Sequence, residues 1–173
     1  MNAVVLPLVL PLLTALLALF WWRPGPVRRT VVALAALGQL AVAGGLLART
    51  LREGVLVLGV GEWSLRAGVV IAVDPLNALM VTLSSFTVLL ALLYGFAESR
   101  SATEHPLRLP LLQFLLMGIN LSFITGDLFN LFVGFEVMLI SSYALLTLEA
   151  DDWEVKQAYP YLALNLIGST LFI

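Results

Sequence analysis

The sequence predicts an all-α integral membrane protein with six transmembrane helices. Of its 173 residues, 61% are hydrophobic and 12% are charged, and the mean hydropathy is +1.01. Soluble domains are about 45–50% apolar and about 25% charged, and a chain this short has too little interior to bury the excess. The apolar residues also form separate runs of about the length of a membrane span. These observations exclude a soluble globular enzyme, a disordered tail and a coiled coil.

Residue counts exclude several kinds of site and partner. The chain has no Cys and one His, so it lacks the ligands for a disulfide framework, an iron–sulfur cluster, a thiolate zinc site or a multi-histidine metal site. The net charge is −2 and no block of Lys and Arg occurs, which argues against nucleic acid as a partner. We therefore expect no cofactor and no bound metal, and a lipid bilayer as the surroundings.

The first two apolar runs are predicted to span the membrane. Residues Ala3–Trp22 are about long enough to cross a hydrocarbon layer near 30 Å thick. No Lys or Arg precedes this run, which favours a true span over a signal peptide. Trp21 and Trp22 fit an interfacial aromatic belt, and Pro24-Gly25-Pro26 then ends the helix. The second span is predicted at Thr30–Ala48.

A β-hairpin outside the bilayer is predicted between the second and third spans. Residues Val55–Val60 and Val69–Val73 are rich in β-branched side chains, with a turn-rich segment between them. A partly buried loop is the alternative. Asp74 and Pro75 then form a helix start, and the third span runs from there to about Ala97. The next loop is expected to be solvated because of its polar residues, which are Glu98, Arg100, Glu104, His105 and Arg108.

The last three spans are predicted at Leu109–Thr125, Leu128–Leu148 and Ala158–Ile173. Because Gly126 and Asp127 alone connect the fourth and fifth spans, we expect a tight antiparallel pair in which Asp127 caps the fifth helix. The sixth predicted span measures about 24 Å, which is shorter than a bilayer, and it ends without a polar cap. We therefore expect the chain to be the front part of a longer protein.

The distribution of Lys and Arg predicts the orientation of the chain. The loop between the fourth and fifth spans contains neither residue, and the loop between the second and third contains three. Positive residues in short loops favour the cytoplasmic side. The N-terminus and the hairpin are therefore predicted to be extracytoplasmic, in a multi-pass protein of the cell membrane. The loops assigned to the cytoplasm contain Arg23, Arg28, Arg29, Arg100, Arg108 and Lys156.

Glu136 is the candidate functional residue. It is flanked by apolar residues and lies about 14 Å along the helix axis from Asp127, near the bilayer midplane. A central carboxylate costs about 2.5–3.5 kcal/mol on insertion scales, and protonation or a cationic partner reduces that cost. Such an acid is suited to a proton relay, whereas the alternative is a structural ion pair or a hydrogen-bonded carboxyl that locks helices together. Because no predicted span contains Lys, Arg or His, we expect any cationic partner to come from outside this chain.

Four other residues are weaker candidates for the same proton path. Tyr143 shares the helix face of Glu136, and Asn120 and Asn165 are polar at membrane depth in the neighbouring spans. Asp127 is a candidate proton collector at the membrane surface. Each has a structural alternative, which is a satisfied buried hydroxyl for Tyr143, interhelical hydrogen bonds for the two Asn residues and an N-cap for Asp127.

The residues around Glu136 resemble a known family. The run Thr125–Phe132, followed by Phe135-Glu136-Val137 and Ile140–Leu146, closely resembles the D subunits of the multisubunit Mrp-type (Mnh-type) sodium/proton antiporters. Asp74–Leu79 and Asn165–Ser169 are also similar to this family, and the resemblance extends over nearly all of the chain. A wider group, which includes the antiporter-like membrane subunits of respiratory complex I, shares only a glutamate in the fifth helix.

The resemblance implies a fold of about fourteen transmembrane helices with two inverted five-helix repeats, of which this chain would hold the first six helices. On that basis, residues 1–108 form an N-terminal part with the hairpin, and residues 109–173 begin the first repeat. The resemblance also implies that Glu136 carries protons and pairs with a lysine on the seventh helix. The expected role is proton translocation coupled to export of sodium or another monovalent cation, within a hetero-oligomeric complex of several subunits. The chain would then be a secondary transporter subunit rather than an enzyme.

Two alternatives remain open at this point. The first is an antiporter-like proton-pumping subunit of a complex I-type NADH:quinone oxidoreductase or a membrane-bound hydrogenase, which would make the chain a translocase component. Its redox groups would lie in other subunits, and the neighbouring genes would distinguish it from the antiporter. The second is a purely structural helix bundle, in which neutralising Glu136 would lower assembly rather than proton flux.

Overall fold

The computed structural model describes residues 4–21, 24–60, 69–98 and 104–172, and these residues form six helices and two strands. The helices are α1 Leu6–Phe20, α2 Pro26–Glu53, α3 Pro75–Glu98, α4 Arg108–Ile124, α5 Leu128–Thr147 and α6 Asp152–Phe172. The strands are β1 Leu56–Val60 and β2 Val69–Val73, which lie between α2 and α3.

Helices α1 to α4 pack as a four-helix bundle. In this bundle α1 contacts α2 and α4, and α3 contacts the same two helices. One apolar cluster near the hairpin includes Ala43 and Ile124, and a second cluster near the other end includes Leu92 and Leu116. Outside the bundle, α5 packs on α4, and α6 packs on α5. Helix α4 therefore links the bundle to the helix that carries Glu136.

A layer of polar groups lies between the two apolar clusters of the bundle. Pro11 has no N–H, so the carbonyl of Pro7 one turn earlier lacks its helical donor. That carbonyl accepts hydrogen bonds from Gln39 Nε2 of α2 at 3.2 Å and from Asn120 Nδ2 of α4 at 2.9 Å. Asn120 Oδ1 in turn accepts from Ser84 Oγ of α3 at 2.9 Å. The proline spacing in α1 thus creates an acceptor that ties the four helices together.

The two strands pair antiparallel, with Leu56 opposite Val73 and Val60 opposite Val69. Strand β2 also joins the connection between α4 and α5, because Gly126 N–H donates to Val70 O at 2.7 Å. The predicted turn at residues 61–68 lies outside the described residues. The position of this hairpin outside the bilayer, on the extracytoplasmic side, stays a prediction.

The predicted start of the sixth helix is wrong. Helix α6 begins at Asp152 rather than Ala158, because the Asp151 carboxylate caps it by accepting from the backbone N–H groups of Trp153 and Glu154 at 3.0 and 2.8 Å. The helix has 21 residues, about 31 Å, but among the described residues only α2, α3 and α5 are both long and apolar enough to cross a membrane.

The predicted limits of the second helix are also wrong. Helix α2 has 28 residues and extends past both predicted ends, because Pro26 fits the first helical position and Gly54, at φ 81°, ends the helix in a conformation that suits glycine. Arg28 and Arg29 therefore lie in its first turn. They lie outside the predicted span Thr30–Ala48, which contains no Lys, Arg or His.

The loop after α3 is less solvated than predicted. Glu104 is 5% exposed, and its carboxylate accepts from Arg29 Nε at 2.9 Å. The guanidinium of Arg29 also lies 5.1 Å from the ring centroid of Phe96. The sequence showed a run of polar residues, but the partner of Glu104 is 75 residues away along the chain and only the fold brings the two together.

The helices have the lengths and surfaces of a membrane protein. By length and composition, α2, α3 and α5 can each cross a bilayer, and α1 and α4 are shorter apolar helices of 15 and 17 residues. Large apolar side chains such as Leu34, Leu90 and Ile140 are exposed on their outer faces. Several apolar helices with lipid-compatible surfaces are the features of a multi-pass membrane protein.

Candidate functional site

The helix that carries Glu136 begins at a well-defined cap. Asp127 Oδ1 accepts from the backbone N–H of Asn130 at 2.8 Å, and Asp127 Oδ2 also accepts from the side chain of Asn130. The backbone N–H of Val70 in β2 donates to the same carboxylate at 3.4 Å. The predicted N-cap role of Asp127 is confirmed, and the residue also connects the hairpin to α5.

Replacing Asp127 with Ala should lower the free energy of unfolding by about 1 kcal/mol, the usual value of an N-cap. Asp127→Asn is the control for the cap itself, because its side-chain oxygen still accepts from Asn130 N–H, while its amide nitrogen cannot accept the two hydrogen bonds made to Oδ2. Thermal unfolding of the full-length protein in detergent measures both variants. Equal destabilisation by Ala and Asn would contradict the capping role, and lost antiport in a stable Asn variant would favour the proton-collector role.

Helices α4 and α5 form the tight antiparallel pair that the short connection predicts. A Cβ atom at Gly118 would lie 2.7 Å from the backbone N of Met138 and 2.9 Å from the carbonyl O of Gly134. A Cβ at Gly134 would lie 2.7 Å from Ser122 Oγ. The two glycines thus allow the backbones of α4 and α5 to pack in direct contact.

We expect Gly118→Ala to destabilise this helix pair by about 1–3 kcal/mol, because the methyl group overlaps backbone atoms that have no rotamer to change. Gly38→Ala is the matched control: it adds the same methyl group to helix α2, where nothing lies within 4 Å. Thermal unfolding of the two variants should separate them by several degrees. If both variants unfold at the same temperature, the close contact of α4 and α5 is not as described.

Glu136 lies on the side of α5 that faces away from α4. Two residues along an α-helix are about 200° apart, so the buried contact at Gly134 and the carboxylate of Glu136 point in nearly opposite directions. Glu136 is half-buried, and its Oε1 atom is shielded from solvent without a hydrogen-bond donor in the described part of the chain. The described helices thus provide no hydrogen-bond donor for that oxygen.

Helix α6 borders the same region. The rings of Phe135 and Phe172 meet edge to face with centroids 6.4 Å apart, and Tyr161 Oη lies 3.3 Å from Ser142 Oγ. The Ser142–Tyr161 pair did not emerge from the sequence, where Tyr161 is one of several aromatic residues. No signal in the sequence singles out this pair, because both helices contain several other polar residues.

The predicted supporting residues do not converge on Glu136. Asn120 is fully buried, and its amide is used by Pro7 and Ser84 within the bundle. Asn165 Nδ2 donates to the carbonyl of Tyr161 in its own helix at 2.8 Å. Tyr143 is half-buried and lies on the helix face of Glu136 by spacing alone. The contacts of Asn120 are the interhelical hydrogen bonds that were the alternative to a place in the proton path, whereas the bond of Asn165 lies within α6.

A metal site does not form in the described part of the chain. Among residues 4–21, 24–60, 69–98 and 104–172, no three His, Asp or Glu side chains come together in a way that would hold a metal ion. Glu136 itself offers proton binding by a carboxylate, and the hydroxyl pair of Ser142 and Tyr161 lies about 9 Å further along the axis of α5.

Curated relatives match the whole chain. It is 34% identical over 172 residues to the D subunit of the Na(+)/H(+) antiporter of Alkalihalophilus pseudofirmus and 33% identical to the corresponding D subunit of Bacillus subtilis, with 99% of this chain and 35% of each relative covered. It is also 34% identical to the putative antiporter subunit mnhD2 of Staphylococcus haemolyticus. The chain spans about a third of the length of these relatives. No protein-family model matches the chain.

Solved structures share the fold. The chain matches 33% of a chain in the Mrp complex from Dietzia sp. DQ12-45-1b with a TM-score of 0.88 and 29% identity, and 98% of the present chain is covered. It also matches a chain of the membrane-bound sulfane sulfur reductase, an archaeal respiratory membrane complex, with a TM-score of 0.89 and 23% identity. At that identity the second match shows the fold alone. The whole chain is thus homologous to a segment that makes up about one third of the length of these Na⁺/H⁺ antiporter D subunits.

Proposed function

We propose that the protein to which this chain belongs is a proton-translocating subunit of a multisubunit monovalent cation/proton antiporter, and that Glu136 is its intramembrane proton carrier. The single observation that carries this proposal is the Glu136 carboxylate, which has a buried oxygen without a donor among the described residues. A carboxyl that locked the helices of this chain to one another would be expected to have such a donor among them. The homology to the antiporter D subunits supplies the class of transport.

The surroundings of Glu136 are consistent with a carboxyl group that gains and loses a proton. The neutral acid needs no counter-ion in a membrane, whereas the carboxylate needs a cation or water. We propose that the cation comes from helices outside this chain, because the face of α5 that carries Glu136 points away from the α1–α4 bundle. Tyr143 on the same face and the hydroxyl pair of Ser142 and Tyr161 are the proposed supporting groups.

We also propose a division of the chain into two parts. Residues 1–108 comprise the first three helices with the hairpin, and residues 109–173 begin the first inverted repeat, which transports protons. Helix α4 belongs to both parts by contact, since it packs against α1 and α3 on one side and α5 on the other. Other subunits of a hetero-oligomeric complex are the proposed partners, with the N-terminus on the extracytoplasmic side of the cell membrane.

Everted membrane vesicles that contain the full-length protein in its complex test this function. A respiratory substrate acidifies the vesicle interior, and Na⁺, K⁺ and Li⁺ are then added separately while a pH-sensitive dye is monitored. At least one cation should collapse the gradient, and vesicles from cells without the complex should keep it. A gradient that no cation changes, together with NADH-driven proton uptake sensitive to quinone-site inhibitors, would contradict antiport and favour the complex I-type alternative.

A further inference from the structure

The connection between α4 and α5 is attached to strand β2. Gly126 N–H donates to Val70 O at 2.7 Å, and Val70 N–H donates to Asp127 Oδ2 at 3.4 Å. Ile71 and Thr125 also form an antiparallel bridge. The segment that enters α5 thus pairs with the hairpin before the helix begins.

Strand β2 is itself fixed to the four-helix bundle. Its Ile71 and Val73 are buried and belong to the apolar cluster that also contains Ala43, Val81 and Ile124. Because the last three side chains come from α2, α3 and α4, a displacement of β2 would disturb contacts with three helices. The start of α5 is therefore attached to a closely packed part of the protein.

Helix α5 has few other contacts that fix its position along its own axis. In the described part of the chain, its buried residues are Gly134 and Ser141. Interdigitating side chains resist the sliding of one helix along another, but at Gly118 and Gly134 the contact of α5 with α4 is formed by backbone atoms. We therefore expect the attachment at Gly126 to determine where α5, and Glu136 with it, lies along this axis.

The lack of a side chain at Gly126 permits the attachment. A Cβ atom there would lie 3.0 Å from Val70 Cγ1, 3.3 Å from Val70 O and 3.4 Å from Ala72 Cβ. The first distance is shorter than the optimal contact between carbon atoms, which is about 3.5–4.0 Å. An alanine at this position would therefore push β2 and the start of α5 apart by a few tenths of an ångström.

We propose that Gly126 is a positioning residue for proton transfer, because its close contact with Val70 sets the position of Glu136 along the axis of α5. A continuous helix links the two sites, so a shift at its start moves the carboxyl group as well. Groups that exchange a proton must approach to about 2.6–3.2 Å or be bridged by one water. This role rests on the proposed function, since it presupposes that Glu136 carries protons.

Cation/proton antiport in everted vesicles with the full-length protein in its complex tests this role. Gly126→Ala should lower the maximal rate per assembled complex about three- to fivefold, since a misplacement of 1 Å can cost on the order of 100-fold. The cation concentration at half-maximal rate should stay unchanged. Adding Val70→Ala removes the Cγ1 atom that the new methyl group meets, so the double variant should recover most of the rate.

Gly38→Ala is the control, because it adds the same methyl group where nothing lies within 4 Å, and it should keep the wild-type rate. An unchanged rate in Gly126→Ala, or a lowered rate that Val70→Ala does not restore, would overturn the proposal. If Gly126→Ala does not assemble, Val70→Ile replaces it, since Ile extends the side chain from Cγ1; an unchanged rate would again overturn the proposal.

Failure of this role is distinguishable from failure of the proposed function. Full antiport in Glu136→Gln would refute Glu136 as the carrier, and the positioning role with it. An inactive Glu136→Gln together with a fully active Gly126→Ala would refute the positioning role alone.

Discussion

Glu136→Gln in the full-length protein should reduce cation/proton antiport in everted vesicles to the background of vesicles without the complex. Gln keeps the size and hydrogen-bonding groups of a protonated Glu but does not release a proton. The side chain lies on a face of α5 away from α4, so the close contact at Gly118 and Gly134 is not disturbed. The complex should therefore assemble normally, as measured by the amount of the other subunits that co-purify.

Two further variants sharpen this prediction. Glu149→Gln removes an exposed carboxylate just beyond the end of α5 and should leave antiport unchanged. Glu136→Asp keeps a carboxylate but shortens the side chain, so it should retain partial antiport. Normal antiport in Glu136→Gln would refute the assignment of Glu136 as carrier, and lost assembly in that variant would favour the purely structural helix bundle.

Glu104→Gln should lower the free energy of unfolding by about 3–5 kcal/mol, the usual result of removing one member of a buried ion pair. The side chains of Arg29 and Glu104 are 12% and 2% exposed, so water does not compensate the cation that remains. Gln offers a neutral oxygen in place of the carboxylate, and its contact with Arg29 is weaker. The segment 104–107 should then remain attached to the start of α2 through the hydrogen bond between Arg28 and the Pro106 carbonyl.

The chain contains a matched control for this effect. Arg49 and Glu53 form an ion pair with the same 2.9 Å distance, but their side chains are 46% and 50% exposed. Exposed pairs are worth about 0–1 kcal/mol, so Glu53→Gln should change the unfolding temperature of the full-length protein by little. Similar losses for Glu53→Gln and Glu104→Gln would show that the burial of the Arg29–Glu104 pair is not as described.

The number and order of the elements followed from the sequence because each depends on local composition. Apolar runs predicted six helices in the correct order, and the tight connection at Gly126 and Asp127 predicted the α4–α5 pair. The ends of α2 and α6 were missed for a local reason as well. Pro26 and Asp151 are helix-start signals, but the predicted starts of α2 and α6 were placed where the apolar run begins. Polar residues in the first turn of each helix lower the local hydropathy, so the predicted starts came too late in the chain.

The polar contacts inside the bundle do not follow from local sequence. Asn120 and Gln39 meet at the carbonyl of Pro7, a group that becomes an acceptor only because Pro11 lacks an N–H. Glu104 meets Arg29 across the bundle end. Such pairs depend on which helix faces oppose each other, and one sequence does not specify that. The sequence predicts that Glu136 lies near the middle of the fifth span, whereas the direction of its side chain away from α4 became visible only in the fold.

Infrared difference spectroscopy of the intact complex tests the role of Glu136 most directly. Spectra of wild type and Glu136→Gln are recorded while the proton gradient across the membrane is raised and released. We expect a protonated-carboxyl band that changes intensity with the gradient in wild type and is missing in Glu136→Gln. A wild-type spectrum without any carboxyl change assignable to Glu136, recorded during active antiport, would contradict its role as the proton carrier.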